Sequence, residues 1–255
     1  MNVADDGRKR FLLVMQERES VEYQTICTQR KLECKQLINS GEQFLQTIND
    51  FEESMRKSVA KVVYGTGGNI HRGFYCPSPV WDIVVGNINR GRILKRVNAA
   101  SKLSHRFGFN SNNEMLYSEI ICDGEVSSTE YMVERKNVRY GFTINPDYKL
   151  EAISKEILDN NKLIRYAYLS VYPDSDGYFC SNLHIERFYY DEDGLQASEH
   201  EEFQPFVNVL EKYRYDFMKE NGYLTSYTFM DYSVKPMDVI PIEYPKYVVR
   251  KKRKA

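Results

Sequence analysis

Four histidines, His71, His105, His184 and His200, are the side chains best suited to proton or metal chemistry near neutral pH, and the spacing lets only two of them meet. His184 and His200 sit on the two arms of the alternating segment 183–203, around Glu192-Asp193-Gly194. Read as a hairpin whose three-residue loop ends on a left-handed glycine, it pairs Arg187 with Glu199, His184 with Glu202 and Glu186 with His200. All three pairs are complementary, which supports the register. His184, Glu186, His200 and Glu202 then share one face, a nitrogen and oxygen set suited to a transition metal or to acid–base work. A flat sheet face lacks the closure and outer hydrogen bonds of a metal centre, so the expectation is exposed cross-strand ion pairs, each contributing about 0.2–1 kcal/mol. No metal, no cofactor and no catalytic residue is therefore expected, and a metal-dependent hydrolase ranks third among the functional readings.

Other chemistry is weaker still. No Ser/His/Asp or Cys/His constellation can be assembled from spacing. The five cysteines (Cys27, Cys34, Cys76, Cys122, Cys180) are odd in number and form no C-x-x-C pair, which argues against both a disulfide framework and a zinc ribbon. The run Gly65-Thr-Gly-Gly-Asn-Ile-His-Arg-Gly73 is rich in glycine but lacks the Lys-Ser/Thr of a phosphate loop and follows a helix, so it reads as a crossover.

The elements that must carry these residues are mostly strands. Between Ser104 and Tyr232 alternating aromatic arms and Asp/Asn/Gly turns recur, giving about ten strands and an antiparallel meander. Parity in 213–229 favours a loop Glu220-Asn221-Gly222, which puts Tyr213, Tyr215 and Phe217 on the face of Tyr227 and Phe229. The same rule with loop Ser111-Asn112-Asn113 pairs Phe107 with Tyr117 and His105 with Glu119. Asp159-Asn160-Asn161 reads as another three-residue loop, and Asp123-Gly124 as a two-residue turn. Before the sheet, Ser40 and Gln43 resemble a capping box, with Phe44, Ile48, Phe51, Met55, Val59 and Val62 as the apolar stripe of one helix. An earlier helix falls somewhere within 9–38. Ser78, Pro79 and Gly86 frame a helix of one or two turns around Trp81.

The expected class is therefore α+β: an N-terminal helical region (1–66), a Gly-rich connector with a short helix (67–103), a sheet (104–235) and an extended basic tail (236–255). Lys246 and the run 250–254 hold six of the 35 basic residues, leaving 29 against 36 acidic ones, a net of −7 for the rest of the chain. An acidic body suits a basic protein partner and argues against nucleic acid; the tail reads as a solvated terminus. No apolar run approaches a membrane span, and Phe11 to Met15 is too short for a signal-peptide core, so a cytoplasmic location is expected.

The N-terminal helix, the block 65–86 and the Tyr-rich meander with Asp-Gly turns together resemble immunity-type proteins of Gram-positive polymorphic-toxin gene clusters. Locally, 188–195 is similar to the tyrosine/aspartate repeats of bacterial secreted shells, a turn signature only. The immunity resemblance implies a non-catalytic protein that occludes a toxin, here a basic toxin domain. It assigns no functional residues. Tyr189, Tyr190, Tyr213, Tyr215, Tyr223 and Tyr227 are the candidates from composition, because tyrosine gives large contact area at low entropic cost. A structural adaptor assembling through the N-terminal helices is the alternative.

Overall fold

The computed structural model describes residues 20–86, 88–98, 101–175, 177–231 and 239–242. Of the expected tail, 236–238 and 243–255, with its basic run, lie outside the described residues, as do Phe11 to Met15, whereas 239–241 form a strand and not an extended tail. Ser20 starts helix α1 (Val21–Leu45), its hydroxyl accepting the Tyr23 N–H at 3.1 Å. The helix thus begins 20 residues before the expected cap, and Ser40 instead returns its hydroxyl to the Gln36 carbonyl inside it. At Thr47 the backbone leaves helical geometry (φ −120°), and α2 (Ile48–Lys57) follows. The expected stripe is real but divided: Phe44 belongs to α1, Ile48 and Met55 to α2, and Val62 lies in a strand.

Among the described residues thirteen strands form one antiparallel sheet: β1 (Lys61–Thr66), β2 (Arg92–Ile93), β3 (His105–Phe109), β4 (Met115–Cys122), β5 (Glu125–Arg135), β6 (Val138–Ile144), β7 (Leu150–Asp159), β8 (Lys162–Asp174), β9 (Gly177–Asp191), β10 (Gly194–Gln204), β11 (Val209–Glu220), β12 (Tyr223–Asp231) and β13 (Val239–Pro241). From β3 to β13 the order in space follows the chain, and β1 and β2 extend the other edge beyond β3. Ten strands was an undercount, because β1, β2 and β13 fall outside the expected sheet boundaries.

Turn chemistry sets the register through bulges. In the β11–β12 hairpin Asn221 (φ 53°) and Gly222 (φ 74°) make a two-residue turn, and an irregularity beyond Met218 and Lys219 restores the parity that pairs Phe217 with Tyr227. The β9–β10 hairpin does the same. Glu192 and Asp193 span the turn, Gly194 has φ 108°, and a bulge past Leu195 brings Arg187, Glu186 and His184 opposite Glu199, His200 and Glu202 as expected. Asn160 and Asn161, both left-handed, likewise turn with Asp159 already paired to Lys162. At β3–β4 the expected pairing fails by one residue: a bulge past Phe109 puts Tyr117 opposite Gly108, and His105 opposite Ile120.

Period-2 alternation separates two faces. One row, Tyr117, Tyr131, Phe142, Ile153, Leu169, Leu183, Phe203 and Leu210, runs through successive strand pairs and packs under the helices. Phe44 stacks on Phe142 at 4.6 Å, and ion pairs from Arg30 to Glu201 and Arg165 to Glu33 fasten α1 to the sheet. The opposite face is covered by the crossover 67–91, with a 3-10 turn at Gly73–Tyr75 and a single helical turn α3 (Trp81–Val84). Ser78 Oγ accepts the N–H groups of Val80 and Trp81, but the helical turn starts two residues later than expected, with Val80 and not Ser78 at its N-cap, and ends before Gly86. Arg90 ties the crossover together, bonding Asp82, the Cys76 carbonyl and the Ser78 carbonyl.

Candidate functional site

Under the crossover the sheet face is polar, which is unusual for a buried surface and requires every group to find a partner. Its centre is Glu130 on β5. The carboxylate accepts Arg72 Nε at 2.7 Å and Nη2 at 2.8 Å, the Ser154 hydroxyl at 2.6 Å and His71 Nε2 at 2.9 Å. Because Glu130 only accepts, Nε2 carries the proton and Nδ1 of His71 accepts the Tyr166 hydroxyl at 2.6 Å. The second carboxylate on Arg72 is Glu156, again in direct contact. Burial pushes the Glu130 carboxyl up, but the Arg72 guanidinium and then His71 overrule it and hold it well below the usual carboxylate range.

Backbone geometry makes room for this knot. Arg72 has φ 56°, a left-handed conformation rare for a residue with a side chain and retained here by four side-chain bonds. Glu130 lies across Gly141 on β6. A Cβ there would overlap Glu130 Oε1 and Ser154 Oγ and come within 2.6 Å of Glu130 Cδ, so only glycine admits the carboxylate.

Beside the knot, between the crossover and strands β3–β6, opens a cleft of about 490 Å³ lined by His71, Trp81, His105, Ile120, Ser128 and Tyr168, with Cys122 also on its wall. His105 donates through Nδ1 to Ser104 Oγ at 2.8 Å, since that hydroxyl gives its own proton to the Gly67 carbonyl at 2.5 Å. Its other nitrogen is left an acceptor. Burial, with His71 nearby acting in the same direction, pushes His105 down to about 4, so it is uncharged at neutral pH. Tyr168 is held protonated by burial.

A second cluster lies past Tyr166. His184, Glu186 and His200 are buried, at 3%, 0% and 3% exposure, not the solvent-facing ion pairs expected from sequence. The cover that buries them is Trp81, whose ring stacks on His184 at 4.3 Å. Burial lowers the basicity of His184, but Glu186 and Glu202 outweigh it and raise it to about 9; burial takes His200 down to about 4 against the pull of Glu186. Glu186 stays ionised despite burial, held by His200 and His184.

The six candidate tyrosines do not form one surface. Tyr215 and Tyr227 are core residues, packed with Val80, Tyr166, Phe188 and Phe217. Tyr190 and Tyr213 pack against that cluster, with hydroxyls on the Leu163 carbonyl and on Glu211. Tyr223 is half-buried beside its turn. Tyr189 alone is exposed, bonded to Glu199 under Arg214. Their alternation was a core signature, because the crossover covers that face too. Sequence reasoning missed Arg72, Glu130, Ser154, Glu156 and Tyr166. The available signal was a set of polar residues at matched positions on β5, β7 and β9, facing away from the helices.

No protein-family model matches the chain, and no curated protein resembles it at a significant level. Among the described residues no helix is long and apolar enough to cross a membrane.

Proposed function

We propose that this chain is a non-catalytic binding protein whose cleft receives an uncharged, largely apolar group carrying one hydrogen-bond donor, presented by a partner protein. The observation that carries the reading is charge cancellation at the cleft wall. Arg72 is consumed by Glu130 and Glu156, Arg139 pairs with the second of these carboxylates, both nitrogens of His71 are bonded, and His105 is uncharged, so among the described residues of the cleft wall no free charge recruits an ionic ligand. Nor is a base or nucleophile left activated there. The volume lies within the range of sites that hold a small molecule or an anchoring side chain. A phenol-like side chain fits this chemistry, with its ring against Trp81 and Ile120 and its hydroxyl donated to His105.

The immunity reading is compatible with this geometry. An acidic body would steer a basic toxin domain into contact, and one aromatic anchor in a preformed cleft would supply the short-range grip. Trp81 is the single tryptophan and lines the cleft, so its emission reports occupancy. Titration with p-cresol as a stand-in for the anchor should shift that emission saturably, toluene should bind more weakly, and p-toluate should not compete. Equal response to all three, or preference for the anion, would reject the reading.

A further inference from the structure

We propose that His184, Glu186 and His200 bind one divalent transition-metal ion of the zinc class, at a site distinct from the cleft though Trp81 borders both. His184 Nε2 lies 3.4 Å and His200 Nδ1 3.3 Å from the same carboxylate oxygen, Glu186 Oε1. One ligand atom from each of the three residues falls within 4.8 Å of the others. Zinc–nitrogen and zinc–oxygen bonds of about 2.0–2.1 Å in a tetrahedron place ligand atoms about 3.3–3.4 Å apart, so the two nitrogen–oxygen separations match the edges of such a site. They are long for hydrogen bonds, and the geometry does not form them.

Three further observations point the same way. His184 Nε2 and both oxygens of Glu186 are fully buried without a hydrogen-bond partner. Orphaned groups of this kind are costly, and an ion at the centre would satisfy them together. Each histidine also has its outer nitrogen occupied: Nδ1 of His184 by Glu202, and Nε2 of His200 by Ser198 Oγ at 3.0 Å. Glu202 is itself fixed by Asn182 at 3.0 Å. This carboxylate–histidine arrangement orients imidazole ligands toward a metal and sets their tautomers. Third, the face is closed. Trp81 stacks on His184, and all three ligand residues are buried. Glu202, the fourth member of the expected quartet, is thus an orienting group and not a ligand. A bound ion would take the place of the proton on His184 Nε2, so that two neutral imidazoles and the carboxylates of Glu186 and Glu202 balance a divalent charge, and three protein ligands leave it one position for water.

The test uses the full chain without an affinity tag, stripped with chelator and titrated with Co²⁺ and then Zn²⁺. One equivalent of Co²⁺ should bind with intense tetrahedral d–d bands, quench Trp81 and be displaced by one equivalent of Zn²⁺. His200→Ala and Glu186→Gln should abolish the bands. Since those buried substitutions endanger folding, Glu202→Gln, whose side chain is about a third exposed, is the second variant, and it should weaken Zn²⁺ by 10–100-fold. Absence of stoichiometric binding by the folded wild-type chain overturns the assignment. So does binding whose spectrum and affinity are unchanged in Glu202→Gln and in either ligand variant that folds.

Discussion

Gly141→Ala is the substitution whose effect the structure fixes most closely. In an ordinary strand interior alanine is favoured over glycine by roughly 0.5–1 kcal/mol, so the local expectation is mild stabilisation. Here the new methyl would occupy the space of Glu130 Oε1 and Ser154 Oγ. The carboxylate is the far end of a flexible side chain and could swing away, but only by giving up bonds to Arg72, His71 and Ser154. Charge-assisted hydrogen bonds contribute about 1.5–3 kcal/mol each, and losing one or two puts the net destabilisation at about 3 kcal/mol. In a Glu130→Ala background only the Ser154 hydroxyl remains in the way, free to rotate once the carboxylate that it bonded is gone, and Gly141→Ala should become close to neutral. A double-mutant cycle by urea denaturation should thus return a coupling of about 2–3 kcal/mol between the two positions. Additivity within about 0.5 kcal/mol would refute the claim that Gly141 exists to seat Glu130.

Two other outcomes follow from named geometry. Gly222→Ala should cost about 1 kcal/mol, all of it from backbone strain at φ 74°, because nothing lies within 4 Å of the added methyl; an unchanged urea midpoint would contradict this. His105, with its folded value near 4 and its ordinary value near 6.5, binds its proton more weakly in the folded chain, so stability is fully present above pH 6.5 and declines as pH falls toward 4. The full span is at most about 3 kcal/mol, and His105→Gln should flatten that part of the pH profile relative to wild type; parallel profiles would reject the assignment.

The sequence predicted pairings better than surroundings. Arg187 with Glu199 and Glu186 with His200 were legible because complementary charges recur at fixed distances from a glycine turn. The burial of His184, Glu186 and His200 was not, since Trp81, which stacks on His184, stands about a hundred positions upstream and reaches it only through the crossover. Tyr215 and Tyr227 looked like a surface for the same reason: alternation tells which residues share a face but not whether that face is wet. Phe107 misses Tyr117 because of a bulge whose place no turn residue announces. The Glu130 knot depends on Arg72 in a left-handed conformation and on the missing side chain of Gly141, and neither feature has a local pattern.

Occupancy of the cleft by a partner protein is the central claim, and Cys122 offers the most direct test. It is exposed and lines the cleft, whereas the other four cysteines are buried, so N-ethylmaleimide should cap it selectively. Affinity capture from the native cell should be compared for the untreated chain, the capped chain and a treated Cys122→Ser variant. The account predicts that the untreated chain and the treated Cys122→Ser variant retain a partner that the capped chain has lost. A partner retained equally by the capped chain would contradict it.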